Sequence, residues 1–264
     1  MDIQIQSIDG GKAFDWGRTS DDYAKFRDIY PEAFYAAILK RGFCQNGQKC
    51  LDLGTGTGVL PRNLYHAGAE WCGTDISPEQ IEQAKMLAAA NGLQIDFRVA
   101  SAETTDDPAE SFDVVTACQC YWYFNPETAY SNIARMLKKD GVLILLYMGW
   151  LASESKIADE SEKIVLQYNP KWTGAGDWRH LISPPEQAMQ YFDMLEQTMF
   201  DLSVRFTRES WHGRMRACRG VGASLSPEQL MAWDDDHRQM LAQIAPDAFE
   251  IPHYAAVTVL KKKA

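Results

Sequence analysis

The stretch CLDLGTGTGVL, Cys50 to Leu60, places three glycines within five positions directly after a short apolar run. Glycine loses more backbone freedom on folding than any other residue, so such a run is expected where the chain turns sharply or another group comes close. The apolar run indicates a first strand, and the residues up to Ala67, ended by Gly68, indicate the helix that follows it. In open α/β folds, ligands bind at such strand-to-helix loops. The stretch therefore predicts a ligand that packs against backbone amides.

Strand-like and helix-like segments alternate around this loop, and most of the strand-like runs lack polar alternation. Such runs are typical of strands buried on both faces of a parallel sheet, so the sequence predicts an α/β fold. The expected strands are KCLDLG (49–54), EWCGTDIS (70–77), IDFRVAS (95–101), FDVVTACQ (112–119), GVLILLYM (141–148), FDLSVRF (200–206) and YAAVTVLK (254–261).

The helix after the second strand has well-defined ends. Ser77 is the expected N-cap, Pro78 stands at the first helical position, and Gln80 completes a capping box. The pair Asn91-Gly92 ends this helix. Further helices are expected at about 129–138, in RESWHGRMRACRG (208–220) and in SPEQLMAWDDDHRQMLAQIA (226–245).

Composition excludes some classes of partner. The chain has 264 residues, with 26 Lys and Arg against 36 Asp and Glu and a formal net charge of -10. This sign disfavours a nucleic-acid substrate. No basic, apolar leader or membrane-length apolar stretch is present, so we expect a cytoplasmic protein without a membrane partner. The six cysteines have no disulfide-scaffold spacing, and Cys118-x-Cys120 is too weak a signal for a metal site, so no metal is predicted.

The glycine spacing separates two classes of ligand. Dinucleotide folds carry G-x-G-x-x-G, whereas Val59 stands at the third glycine's position here. Asp52 lies two residues before Gly54, where a carboxylate is poorly placed beside a pyrophosphate and well placed beside a cation. The loop therefore favours a cationic ligand, and a nicotinamide-dependent oxidoreductase is the weaker alternative.

The segment from about Lys49 to Leu146 resembles the class I S-adenosylmethionine-dependent methyltransferases. The loop resembles their motif I, FDVVTACQCYWYFNPE (112–127) their motif IV, and IARMLKKDGVLIL (133–145) the helix, turn and strand that follow. The resemblance implies a Rossmann-like fold with a seven-stranded, mostly parallel sheet, helices on both faces and an inserted helical cap. It also implies S-adenosylmethionine as cofactor and methyl transfer as activity.

The flanking segments resemble the small-molecule branch that includes trans-aconitate methyltransferases. YAKFRDIYP, Tyr23 to Pro31, is similar to that branch's Y-x-x-x-R-P-x-Y-P, with Asp28 at its first proline. In the run after the fourth strand, Trp122 stands where that branch has a His, and Tyr123 stands where it has a Trp. The resemblance implies that Asp75 binds the ribose hydroxyls and that Tyr23 and Arg27 approach the methionyl carboxylate. The predicted cofactor-binding residues are Tyr23, Arg27, Asp52, Gly54, Thr55, Gly56, Gly58, Asp75, Ile76, Gln80, Ser101, Ala102, Glu103 and Gln119.

We expect one domain over residues 1–264. Its parts are an N-terminal helical cover (about 1–40), a cofactor-binding core (about 41–148), an inserted cap (about 149–200) and the last strands and helices (about 201–264). The cap carries three tryptophans and the glycine-bearing stretch TGAGDW (173–178), which favour a lid over the acceptor.

The acceptor is expected to be a small organic molecule, with an anion favoured. The aromatic residues after the fourth strand could stack on the acceptor, or they could pack in the core. The arginines of HGRMRACRG could clamp a carboxylate of the acceptor, or they could pair with the protein's own acidic side chains. The predicted substrate residues are Tyr121, Trp122, Tyr123, Arg214 and Arg216, with Arg219 as a further arginine. No catalytic base is assigned, although His180, His212 and His253 are candidates. A non-catalytic, cofactor-binding methyltransferase-fold module or a partner subunit is the alternative function, and the oligomeric state stays open.

Overall fold

A computed structural model describes residues 2–263 and contains seven strands and nine α-helices among them. The strands are β1 Lys49–Leu53, β2 Glu70–Asp75, β3 Asp96–Val99, β4 Phe112–Cys118, β5 Leu137–Trp150, β6 Phe192–Thr207 and β7 Ala248–Lys262. The helices are α1 Ser20–Phe26, α2 Glu32–Leu39, α3 Val59–Leu64, α4 Pro78–Ala90, α5 Pro126–Met136, α6 Lys156–Tyr168, α7 Glu186–Tyr191, α8 Arg208–Arg216 and α9 Pro227–Ile244.

The seven strands form one sheet in the order β3-β2-β1-β4-β5-β7-β6. The pairs β1–β2, β1–β4, β2–β3 and β4–β5 are parallel. The chain first builds outward from β1 to β3 and then returns to place β4 on the other side of β1. Such a reversal of strand order is where open α/β sheets bind ligands. The expected seven-stranded, mostly parallel sheet is confirmed.

The apolar runs of the central strands form the core. Every residue of β1 after Lys49 is buried, and Leu51, Leu53, Val115, Leu143 and Leu145 belong to one apolar cluster. The prediction of strands buried on both faces is confirmed for these elements. No helix within residues 2–263 combines the length and the apolar composition that crossing a bilayer requires.

The chain divides into two compact units. The first unit comprises the residues up to Ile29, Gly149–Arg179 and Asp201–Tyr254, and the second comprises Tyr30–Met148, His180–Phe200 and the residues from Ala255 onward. The expected single domain and its internal boundaries stay predictions.

Several local expectations differ from the structure. β5 begins at Leu137 rather than 141, β6 at Phe192 rather than 200 and β7 at Ala248 rather than 254. The start of β6 was missed because this sheet-edge strand exposes many side chains and lacks an apolar run. At α4, the Ser77 hydroxyl accepts the Gln80 amide at 3.3 Å, but the Ser77 amide donates to Asp75 Oδ1 at 2.9 Å. The capping box therefore forms only in part, because Asp75 takes the amide that Gln80 was expected to bind.

Candidate functional site

The glycine loop joins β1 to α3 in left-handed backbone conformations. Gly54, Gly56 and Gly58 have φ angles of 61°, 55° and 74°. A Cβ atom at Gly54 would lie 2.7 Å from Cys120 Sγ, and one at Gly58 would lie 2.5 Å from the Phe97 ring. These two glycines are therefore required both by the turn and by side chains that pack on it. Sequence reasoning attributed the close approach to a ligand alone.

Asp75 ties the glycine loop to the end of β2. Its Oδ2 accepts the Gly56 amide at 2.9 Å and its Oδ1 accepts the Ser77 amide at 2.9 Å. Burial raises the pKa of this carboxyl, while the amide hydrogen bonds lower it. Asp75 thus holds the glycine loop and the start of α4 in place. The sequence predicted only that this residue binds the ribose, and not this structural role.

Asp52 is a second buried carboxyl, on the adjacent strand. It is 2% exposed, and Thr116 on β4 donates its hydroxyl to Asp52 Oδ1 at 2.6 Å. Burial, reinforced by the charge of Asp75 and opposed by the Thr116 hydrogen bond, raises the pKa of Asp52 to about 7. No cationic side chain within residues 2–263 contributes to the pKa of either carboxyl. The strand ends therefore present acidic groups whose ionisation a cationic ligand would favour.

The predicted residues after β2 and β3 are anchored by neighbouring helices. Gln80 is buried on α4, and Ile76 is half-buried just before it. Glu103 Oε1 accepts the amide of Asn125, the N-cap of α5, at 2.8 Å. Asn132 on α5 donates to the Ala102 carbonyl at 3.0 Å, and Ser101 hydrogen-bonds Thr104 at 3.0 Å. The structure thus orders this segment through contacts that local sequence patterns did not indicate.

The residues after β4 leave the sheet through a strained turn. Gln119 has a φ of 59°, which non-glycine residues rarely adopt, and its amide donates to the Leu146 carbonyl at 2.9 Å. Its side-chain Nε2 donates to Tyr30 Oη at 3.2 Å. Cys120 Sγ lies 3.1 Å from the Leu53 carbonyl, which places the turn against the glycine loop. Such strain is found preferentially at functional sites.

Five rings of the second unit form what we call the aromatic group. It begins in the turn after β4 and continues to β5 and the segment before α7. Trp122 is 37% exposed, and its ring centroid lies 5.7 Å from that of Tyr147. The Tyr147 ring in turn lies 5.4 Å from that of His180. The group consists of Tyr121, Trp122, Tyr123, Tyr147 and His180. Tyr147 was not identified from the sequence because it belongs to an apolar strand run.

Tyr23 and Arg27 lie in the first unit, at the end of α1. Arg27 Nη2 donates to Tyr23 Oη at 3.0 Å, and the guanidinium carbon lies 4.5 Å from the centre of the same ring. The two predicted residues therefore hold each other, since they are one helical turn apart. Their contact with a methionyl carboxylate stays a prediction.

The three arginines of the α8 region have different partners. Arg216 forms ion pairs with Asp22 and with Asp234, the latter at 3.1 Å. Arg219 binds Asp9 at 2.8 Å. Arg214 is 3% exposed and stacks on Trp150, with 4.8 Å from its guanidinium carbon to the ring centre. Arg216 and Arg219 are thus neutralised by carboxylates of the protein itself, whereas Arg214 is not.

The remaining two histidine candidates are buried in the first unit. His212 lies in a hydrogen-bonded chain: its Nε2 is 3.0 Å from Asp234 Oδ1 and its Nδ1 is 2.9 Å from His237 Nδ1. His237 Nε2 continues the chain to Ser161 Oγ at 2.9 Å. Burial, reinforced by neighbouring cations, lowers the pKa of His253 to about 4. Of the three candidates, only His180 lies in the aromatic group.

Comparisons with known proteins agree with this geometry. The profile of the methyltransferase domain family matches residues 51–145. A ubiquinone biosynthesis O-methyltransferase of Cereibacter sphaeroides is 31% identical over 176 residues, which cover 65% of this chain and 69% of that protein.

Solved structures also share the fold, as two examples illustrate. The YcgJ protein of Bacillus subtilis has a TM-score of 0.54 and 18% identity, covering 89% of this chain and all of that chain. Phosphoethanolamine N-methyltransferase 2 of Haemonchus contortus has a TM-score of 0.55 and 20% identity, covering 93% of this chain and 58% of that one.

Proposed function

Because the chain belongs to the class I S-adenosylmethionine-dependent methyltransferases, we propose that it methylates a small organic acceptor by in-line displacement, with an anionic acceptor favoured. The observation that carries this proposal is the glycine loop held by Asp75 beside the buried carboxyl of Asp52. A scaffold that binds no cofactor would have no use for two buried acids at the carboxyl ends of adjacent strands, whereas a cofactor-binding module without activity would keep them.

The residues at this edge fit the cofactor. S-adenosylmethionine carries a sulfonium, an ammonium and ribose hydroxyls, and carboxylates favour all three as neighbours. Asp52 and Asp75 supply two carboxyls with no cationic partner from residues 2–263. The Thr57 and Thr74 hydroxyls, on the loop and on β2, are buried without a protein hydrogen-bond partner. Polar ligand atoms would satisfy these hydroxyls, whose burial otherwise costs free energy.

When bound, the cofactor supplies an activated methyl group. The chain then needs to hold the acceptor in line with that group and to exclude water. The aromatic group provides an apolar, partly exposed surface directly after β4, and Trp122 is its most accessible ring. His180 is the imidazole of that group, the kind of side chain that takes a proton from a hydroxyl acceptor.

Calorimetry with S-adenosylhomocysteine and with NADH tests the cofactor assignment. We expect the first to bind and the second not to bind, and the reverse would support the oxidoreductase alternative. A turnover screen over carboxylic acids, phenols, thiols and amines, read by release of S-adenosylhomocysteine, tests the acceptor class. Binding without turnover of any acceptor would favour the non-catalytic module. The expected cytoplasmic location stays a prediction.

A further inference from the structure

The dipeptide Asn-Gly occurs twice in the chain, at Asn46-Gly47 and at Asn91-Gly92. It is chemically labile, because the backbone nitrogen of the glycine can attack Cγ of the asparagine and no side chain on the glycine hinders that attack. All four residues are exposed. The shared dipeptide therefore makes both sites reactive, and the local structure decides which of them reacts.

The second site is held by hydrogen bonds at the end of α4. Asn91 is the C-cap of this helix, and its Nδ2 donates to the Leu87 carbonyl at 2.7 Å. The backbone nitrogen of Gly92, which would make the attack, donates to the Ala89 carbonyl at 3.1 Å. Both groups must leave these partners before the attack can occur, so the helix end protects this site.

The first site lies in a turn that leaves the same groups unrestrained. The Gln48 amide donates to the Gln45 carbonyl at 3.0 Å, which makes Asn46 and Gly47 the central residues of a β-turn. Neither the Asn46 side chain nor the Gly47 amide hydrogen-bonds any group within residues 2–263.

The backbone of this turn is also free to rotate. Gly47 has a φ of 86°, and a Cβ there would meet nothing within 4 Å. Glycine adopts either sign of φ readily, so the peptide between Asn46 and Gly47 can turn without a clash and without breaking a hydrogen bond. The Gly47 nitrogen can therefore approach the Asn46 side chain at little cost.

We propose that Asn46 is a site of spontaneous deamidation and isomerisation in the folded protein. The Gly47 nitrogen forms a bond to Asn46 Cγ, the Cγ–Nδ2 bond breaks, and ammonia leaves with the proton of the Gly47 amide. Water then opens the five-membered imide at one of its two carbonyls. The product at this position is aspartate or isoaspartate, according to which carbonyl the water attacks.

The place of Asn46 in the fold gives the isoaspartate product a structural effect. Gln45 pairs with Gly68, and the Glu70 amide donates to the Gln48 carbonyl at 2.9 Å, so this turn joins the beginnings of β1 and β2. A Cβ at Gly68 would lie 3.2 Å from Asn46 Cα, which leaves little space. Isoaspartate lengthens the main chain by one carbon at this contact, whereas aspartate only adds a charge.

Ageing of the wild-type protein under mildly alkaline conditions tests the proposal. Tryptic peptides 42–49 and 86–98 each carry one of the two sites, so mass spectrometry compares both sites in one sample. We expect amide loss at Asn46 to be at least about tenfold faster than at Asn91, the factor expected from the one or two hydrogen bonds that must break at the second site. Equal rates, or faster loss at Asn91, would overturn the proposal.

The same measurement in concentrated urea separates the fold from the sequence. Unfolding removes the hydrogen bonds at the end of α4, so the two rates should converge. A difference as large in urea as in the folded protein would overturn the proposal, because it would come from the flanking residues rather than from the structure.

Urea denaturation of aged protein tests the effect of isoaspartate, with Asn46→Gln as the control. The longer glutamine side chain forms the corresponding six-membered imide much more slowly. We expect aged wild type to contain a fraction that unfolds at lower urea concentration and grows with the isoaspartate content, and aged Asn46→Gln to unfold as it did when fresh. If isoaspartate-containing wild type unfolded like fresh protein, the effect proposed for the beginnings of β1 and β2 would be overturned.

Discussion

Replacing Asp52 by Asn should stabilise the ligand-free protein increasingly as the pH rises. The carboxyl is 2% exposed, and burial raises its pKa from 3.8 to about 7. In the unfolded chain the group ionises above pH 3.8, whereas in the folded chain it stays protonated until about pH 7. The stability contributed by the neutral carboxyl is therefore complete below pH 3.8 and is lost as the pH rises to about 7.

The magnitude follows from the interval between these two pKa values. It spans about 3 pH units, and each unit corresponds to about 1.4 kcal/mol, which gives about 4 kcal/mol. Asn has nearly the same shape and keeps an oxygen that can accept the Thr116 hydroxyl, so the charge is the main change. The free energy of unfolding of Asp52→Asn minus that of the wild type should therefore grow by about 4 kcal/mol between acidic pH and pH 7.5.

Urea denaturation of both proteins at several pH values between about 3 and 7.5 measures this difference. Asp106→Asn, which removes an exposed carboxylate of the same unit, is the control and should show a nearly constant difference. If the Asp52→Asn curve ran parallel to that of the wild type over the whole range, burial of this carboxyl would not raise its pKa and the reasoning would be refuted.

Three other changes test the loop, its ligand and the inserted segment. Asp75→Ala should cost about 1.5–3 kcal/mol of S-adenosylhomocysteine affinity in calorimetry, and unchanged affinity would contradict its role. Gly58→Ala should lose about 1–3 kcal/mol more free energy of unfolding, measured in urea, than Gly42→Ala. Both glycines have a positive φ, but only a Cβ at Gly58 would meet a ring, that of Phe97. Equal losses in the two variants would argue against the Phe97 contact. Chymotrypsin should cleave at the exposed Trp178 more slowly with S-adenosylhomocysteine bound, and equal cleavage would count against a lid.

Local sequence was sufficient for the elements whose pattern follows from burial. β1, β2 and β4 are central strands, so their apolar runs identify them, and the Ser77-Pro78 pair marks the start of α4. The beginning of β6 could not be found in this way, because an edge strand exposes many of its side chains. The partial capping of α4 depends on Asp75, which belongs to a different element.

The features of the site that sequence reasoning missed are contacts between residues that lie far apart in the sequence. Gly54 meets Cys120, which lies far along the chain, and no local pattern indicates that contact. Helical geometry predicts that Arg214 and Arg216 point to different sides of α8, but not that Asp22 and Asp234 take Arg216. The difference between Arg214 and Arg216 is therefore visible only after folding.

The hydrogen-bonded chain from Asp234 to Ser161 restricts where its protons can lie. Ser161 donates its hydroxyl to the Ile157 carbonyl at 2.7 Å and accepts the Trp211 indole N–H at 2.9 Å, so His237 must donate to it. The Nδ1 atoms of His212 and His237 face each other at 2.9 Å, so one of the two rings donates there and the other accepts.

Asp234 of α9 contacts both His212 and Arg216 of α8, and Arg216 also pairs with Asp22 of α1. Removing Asp234 would therefore take a carboxylate from two side chains of α8 at once, at the junction of three helices.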